Sequence, residues 1–150
     1  MSQSLAKILV HLIYSTKKRE RCIHDDIRDE LHRYIAGILK QLESPAILIN
    51  SVEDHIHVLY AHSRTHTLSE IVEEVKKGSS KWLKPKGSAY SDFHWQNGYG
   101  ACSVSQSGVA EVMKYIDNQK WHHRRKTFQE EFREFLKRYE VPYDERYVWD

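Results

Sequence analysis

Apolar and polar residues alternate from Leu5 to Ser15, with Ala6, Ile8, Val10, Leu12 and Tyr14 on one side and Lys7, Leu9, His11 and Ile13 on the other. A period of two predicts a strand over residues 5–15, and its mixed second face predicts only partial cover there. From Asp25 or Asp26 the period becomes helical: Ile27, Leu31, Tyr34, Ile35, Ile38, Leu39 and Leu42 recur behind an acidic first turn, and Pro45 helps end the segment. Two short apolar runs, 46–52 and 55–61, flank Glu53 and Asp54 and read as an antiparallel hairpin. Thr67 and Glu70 form a capping box that opens a second helix, burying Leu68, Ile71, Val72, Val75 and Trp82.

Residues 85–98 mix Pro, Gly, Ser and aromatics without a period and read as a loop, followed by a strand over Tyr99–Ser105. The order βαββαβ predicts an α+β, ferredoxin-like domain: an antiparallel sheet with helices packed on one face and the other face free to bind something. Two further helices follow, one from about Ser107 to Trp121 and one from Thr127 to Tyr139. The second has its own capping box, Thr127 with Glu130, and a core stripe of Phe128, Phe132, Phe135, Leu136 and Tyr139. At 150 residues the chain suits one domain, 1–150, and it carries no internal repeat.

Composition changes this picture little. A hydrophobic fraction of 40% and a charged fraction of 29% exclude a disordered chain. The apolar run near the start is short and interrupted by Lys7 and His11, which argues against a signal peptide or membrane span. Cys22 and Cys102 are too far apart in sequence for a spaced metal pair, and a reducing cytoplasm fits them. Net charge is only +2, so a polyanionic partner depends on where the cations cluster. Three groups stand out: Lys17, Lys18, Arg19 and Arg21; Lys76, Lys77, Lys81, Lys84 and Lys86; and Arg124, Arg125 and Lys126.

Two pairs of residues carry candidate chemistry. His55 and His57 are two apart on a strand, so their rings share one face while Ile56, Val58 and Tyr60 point to the other. If the apolar set meets the helices, the histidines face the open side, where two imidazoles could chelate a divalent metal. Tyr115 and Gln119 are four apart and stack on one face of a helix whose apolar stripe is Val109, Val112, Met113 and Ile116; Tyr115 falls to the side of that stripe. Taken singly, the histidine pair reads by default as structural, and Tyr115 is equally compatible with packing at the edge of a core.

The segments Asp54-His55-Ile56-His57-Val58-Leu59, Phe93-His94-Trp95-Gln96-Asn97-Gly98-Tyr99-Gly100-Ala101 and Tyr115-Ile116-Asp117-Asn118-Gln119 follow one another in this order. Together they resemble the single-tyrosine HUH transposases of bacterial insertion sequences. The likeness runs from the first strand to the closing Tyr143-Asp144-Glu145-Arg146-Tyr147 segment. The Asn118-Gln119 ending is more similar to the mobile-element group than to the REP-associated transposases. The resemblance implies that His55 and His57 bind Mg²⁺ or Mn²⁺, that Gln119 is the third protein ligand, and that Tyr115 is the nucleophile. It further implies a homodimer, in which the tyrosine helix of one subunit can complete the metal site of the other, and a substrate of single-stranded DNA with hairpin ends. Gly108 and its serine neighbours Ser103, Ser105 and Ser107 would then supply a mobile joint before that helix.

A phosphodiester gains charge on its nonbridging oxygens as it is attacked, which a metal can neutralise, and a phenol of pKa about 10 needs activation at neutral pH. On the residues alone imidazoles favour zinc over magnesium, so a structural or hydrolytic zinc site stays open. A non-catalytic module binding single-stranded nucleic acid also stays open, as does an HUH nickase or replication initiator. Lys76, Lys77 and Lys81, with Ser79 and Ser80 among them, are the candidate phosphate contacts. Tyr60, Trp82, Trp95 and Tyr99 are candidate stacking surfaces for unpaired bases.

Overall fold

A computed structural model describes residues 2–150. Its four strands are β1 (Leu9–Ser15), β2 (Ala46–Ser51), β3 (His55–Ala61) and β4 (Gly100–Val104). They form one antiparallel sheet in the order β2-β3-β1-β4. Helices α1 (Asp25–Gln41) and α2 (Leu68–Leu83) connect the strands as βαββαβ expects. Both lie on the face formed by Val10, Leu12, Tyr14, Ile56, Val58 and Tyr60, to which they contribute Ile27, Leu31, Ile35, Leu39, Ile71, Val72, Val75 and Leu83. Thr67 caps α2 as its sequence predicts, its side chain accepting from the Glu70 amide.

The opposite face is not free. Helices α3 (Val109–Asp117), α4 (Gln119–Arg125) and α5 (Phe128–Arg138) cover it, giving a three-layer arrangement where two layers and an open face were expected. The physical reason lies in β1 and β3, whose second face carries Leu9, Ile13 and Leu59. The α5 stripe Phe128, Phe132, Phe135 and Leu136 packs with Ile13, and Ile116 of α3 packs with Leu9, Leu59 and Val104. Gly100 permits this approach, since a Cβ there would fall 2.6 Å from a Phe132 ring carbon.

The single helix predicted from Ser107 to Trp121 is divided. The chain leaves helical geometry at Asn118 (φ −91°, ψ 24°), so Gln119 begins α4, which runs on to Arg125. Before α3 the expected joint is a short 3-10 turn, Gln106–Gly108, held by the Ser105 side chain accepting from the Gly108 amide. The β2 residue Asn50 donates to the Ile116 carbonyl at 2.7 Å and fixes the end of α3 on the sheet. Among the described residues no helix is long and apolar enough to cross a membrane.

His32 on α1 gives this fold a measurable acid sensitivity. Burial pulls its pKa from 6.5 down to about 4, opposed by Asp29 and reinforced by Arg28, and its ring lies 2.7 Å from the Ser51 hydroxyl. The folded state therefore resists a proton that the unfolded chain accepts below pH 6.5. Stability tied to this residue is full above 6.5 and is lost as pH falls toward 4, by about 3 kcal/mol. Thermal melts of His32→Gln should lose less between pH 7 and 4 than those of the wild-type protein; parallel curves would contradict this.

Candidate active site

His55 and His57 alternate with the apolar residues of β3 and therefore project together toward α3, α4 and α5, where both are fully buried. Each ring is fixed at its Nδ1. His55 Nδ1 lies 2.7 Å from Asp54 Oδ1, in the turn between β2 and β3. His57 Nδ1 lies 2.8 Å from Nε2 of His11, which occupies the same face of β1. Anchoring one imidazole nitrogen in this way leaves Nε2 as the free ligand atom, the usual arrangement around metal-binding histidines.

Two more side chains converge on those Nε2 atoms, and a third reaches them through one of the two. The break at Asn118 turns the fully buried Gln119 inward, and its Oε1 lies 3.0 Å from His55 Nε2. Glu131 of α5 spans both rings, with Oε2 3.1 Å from His55 Nε2 and Oε1 3.0 Å from His57 Nε2. Tyr115, half-buried on α3, donates its hydroxyl to Glu131 Oε1. The tyrosine ring packs beside those of His57 and His122, with centroid separations of 5.6 and 4.6 Å.

The charges are strongly coupled. Burial alone would depress His55, but Asp54 and Glu131 outweigh it and push the pKa to about 9. His57 is lowered by burial, against the pull of Glu131. Burial, together with the neighbouring His57, brings His11 down to about 3. Burial would raise Glu131, yet hydrogen bonding to His55 and His57 holds its carboxyl far below the ordinary range. The Tyr115 phenol is raised by burial and by the Glu131 charge, so its proton is tightly held.

This donor set fits a divalent cation. His57 Nε2 and Glu131 Oε2 are buried without an aligned hydrogen-bond partner, although each has a neighbour within 3.1 Å. Atoms that close without hydrogen-bond alignment behave as ligands converging on a common point. The candidate set His55, His57 and Glu131 forms one such group.

The sequence-predicted quartet Tyr115, His55, His57 and Gln119 is thus gathered within one chain, and the candidate DNA-binding lysines are not part of it. Lys76, Lys77 and Lys81 lie on α2, across the sheet from the histidines. Lys76 is further occupied: its ammonium donates to the carbonyls of Gln96 and Gly98 at 2.8 and 2.6 Å and lies over the Tyr14 ring, and burial lowers its pKa to about 8. Lys77 and Lys81 are exposed. Ser79 is buried, donating to the Val75 carbonyl and accepting from Trp95, so it is not part of a surface. Tyr60 and Trp95 belong to the core, whereas Trp82 stacks on Tyr34. The first and third basic groups, by contrast, meet: Arg19, Arg21, Arg124, Arg125 and Lys126 line a cleft of about 340 Å³ beside Asp54 and His123.

Glu131, His11 and Asp54 are the site residues that sequence reasoning did not assign. Glu131 had a signal, being a charge set inside the apolar stripe 128, 132, 135. His11 had a weaker one, sharing the alternating face of β1 with Leu9 and Ile13.

A sheet bearing two histidines on one face, with a tyrosine from a following helix directed at the group that joins them, defines the single-tyrosine HUH class of transposases. Comparison with known proteins agrees. The model of the family described as "Transposase IS200 like" matches residues 4–119, and the chain belongs to that family. The ISDra2 transposase TnpA of Deinococcus radiodurans is 24% identical over 114 residues, covering 73% of this chain and 81% of that protein. A crystal structure from D. radiodurans R1, of a protein provisionally assigned as a transposase, superposes with a TM-score of 0.62 at 24% identity, over 79% of this chain and 98% of that one. The structure of a REP-associated tyrosine transposase bound to a REP hairpin gives 0.59 at 13% identity, over 82% and 74%. At these identities the structural likeness establishes the fold. The matched family segment ends on Gln119, so α5 and Glu131 lie outside it.

Proposed function

We propose that this transposase cleaves and rejoins single-stranded DNA at insertion-sequence ends. The nucleophile is Tyr115, and a divalent cation, Mg²⁺ or Mn²⁺, is held by His55, His57 and Gln119. The observation that carries this reading is the Tyr115 hydroxyl directed at a carboxylate that touches both buried histidines. When bound, the cation supplies neutralisation of the charge that builds on the nonbridging phosphate oxygens.

The protein's own groups do the rest. Tyr115 Oη bonds to phosphorus, the P–O3′ bond breaks, and the 3′ oxygen leaves and takes up a proton. The tyrosine proton leaves through its hydrogen bond to Glu131, whose carboxylate stays ionised, and is the proton that the 3′ oxygen takes up. The resulting 5′-phosphotyrosine conserves the phosphodiester energy, so a free 3′-OH can later attack it and reseal without a nucleotide cofactor. Asp54 and His11 orient the imidazoles. A cavity of about 570 Å³ lined by Tyr115, Glu131, Arg138 and Tyr139 gives a nucleotide room beside the hydroxyl.

The substrate is single-stranded DNA with hairpin ends, the protein acts as a homodimer, and its setting is the cytoplasm. The cleft of Arg19, Arg21, Arg124, Arg125 and Lys126 suits the phosphates of the strand entering the site. Lys76, Lys77 and Lys81 suit the hairpin on the other side of the sheet, with Lys76 the least free of the three. Arg124→Ala with Arg125→Ala should weaken DNA binding and flatten its salt dependence by a slope of about 1.4 for two single-strand phosphate contacts, and Lys77→Ala with Lys81→Ala by about 1.8 for two contacts on the hairpin duplex. An unchanged slope for a pair removes that pair from the interface.

The decisive experiment incubates the protein with labelled single-stranded DNA carrying the hairpin that flanks its gene, with and without Mg²⁺ or Mn²⁺. Denaturing gels and mass spectrometry should find a metal-dependent adduct on Tyr115. Binding without an adduct across varied substrates would favour a non-catalytic single-strand module.

A further inference from the structure

Glu131 is buried with only 2% of its surface exposed, and among the described residues no lysine or arginine pairs with it. Its position is not explained by holding α5 on the sheet, because the stripe Phe128, Phe132, Phe135 and Leu136 already does so. A carboxylate in the middle of that stripe is a cost to the fold unless a cation repays its desolvation.

The distances identify what the carboxylate is for. His55 Nε2 lies 3.0 Å from Gln119 Oε1 and 3.1 Å from Glu131 Oε2, and His57 Nε2 lies 3.0 Å from Glu131 Oε1. Ligands at right angles around a cation with bonds of about 2.1 Å stand about 3.0 Å apart, so each of these separations is one that two adjacent ligand corners can have, with either Glu131 oxygen as the ligand. His57 Nε2 and Glu131 Oε2, the two atoms left without aligned partners, are among these corners.

We propose that Glu131 is a further protein ligand of the divalent cation, supplied by α5 and acting with His55, His57 and Gln119. The inference rests on the metal-dependent reading above and extends it. One carboxylate oxygen binds the cation while the other keeps the Tyr115 hydroxyl, so α5 ties the nucleophile to the metal centre. A charged oxygen also adapts a set of two imidazoles and an amide to hard cations such as Mn²⁺ and Mg²⁺.

The test is Mn²⁺ binding without DNA, followed by electron paramagnetic resonance of free Mn²⁺ and by the Mn²⁺-induced rise in Tm, on the full chain. Glu131→Gln retains the shape of the side chain and should bind Mn²⁺ at least tenfold more weakly than wild type, with Glu131→Ala weaker still; circular dichroism checks that both are folded. Glu134→Gln removes a negative charge from the wall of the same cavity without touching the histidines, and should stay within twofold of wild type. Wild-type affinity in Glu131→Gln overturns the proposal, and equal losses in the Glu131→Gln and Glu134→Gln proteins reduce Glu131 to a distant charge and overturn it as well. A wild-type protein that binds no Mn²⁺ overturns both this inference and the metal-dependent function, whereas the first two outcomes leave that function standing.

Discussion

Replacing Tyr115 by phenylalanine should abolish the covalent protein–DNA adduct and lower strand cleavage by on the order of 10⁴ or more, the scale on which enzymes lose activity with their nucleophile. Only one hydroxyl is removed. The ring remains packed against His57 and His122, and α3 keeps its apolar contacts through Val109, Val112, Met113 and Ile116. Glu131 loses one donor but retains its contacts with His55 and His57, so the structural cost is about 1–3 kcal/mol, that of a buried acceptor left one bond short. Hairpin affinity, measured by gel shift at fixed salt, should therefore stay near wild type while the adduct disappears from denaturing gels and mass spectra. Cleavage that survives the substitution would sink the assignment of Tyr115, because among the described residues no other tyrosine hydroxyl is hydrogen-bonded to a group touching both histidines.

Which features were legible in the sequence follows from how local their causes are. The parity of β3 put His55 and His57 on one face because side-chain alternation needs no knowledge of the partner strand. The capping boxes at Thr67 and Thr127 located the starts of α2 and α5, since a cap is completed within four residues. The covered face was harder. Ile13, Leu59 and the α5 phenylalanines are all visible as apolar positions, yet nothing in their spacing says that α5 returns across the sheet more than a hundred residues after β1. The break at Asn118 was hidden for another reason: its neighbours keep a helical period on both sides, and it is the burial of Gln119 against His55 that rewards leaving the helix.

Glu131 shows the same limit from the side of chemistry. An acid within an apolar stripe signals that something unusual is buried, but its partners lie 74 and 76 positions upstream, on a strand, and only the packed sheet brings them together. The lysine-rich side of α2 illustrates the reverse case. Clustering in sequence made Lys76 a conspicuous cation, whereas in the fold it is satisfied by backbone carbonyls and half-buried over tyrosine rings. The basic cleft beside Asp54 is assembled from two groups that lie about a hundred residues apart in the chain.

His55→Ala and His57→Ala should each eliminate metal-dependent cleavage, but their stabilities should part company. In the metal-free protein His55 sits between Asp54 and Glu131, which hold its pKa near 9 against burial, so its ring carries a proton that a bound cation would displace. Deleting it leaves two buried carboxylates without their shared cation, and breaking a buried ion pair in this way costs about 3–5 kcal/mol. At roughly 2–4 °C per kcal/mol for a domain of this size, Tm should fall by on the order of 10 °C. His57 is held neutral by burial, so its removal leaves a smaller charge imbalance and acts mainly through the cavity and the lost ligand. The His57→Ala protein should thus stay folded at assay temperature, bind the hairpin, and lose the rise in Tm that Mn²⁺ gives the wild-type protein. Because its expected defect is in metal binding and not in folding, it is the cleaner test of the two. Metal-stimulated cleavage by a folded His57→Ala protein would place the catalytic cation elsewhere; loss of both cleavage and the Mn²⁺ response, with hairpin affinity intact, would fix it on the β3 histidines.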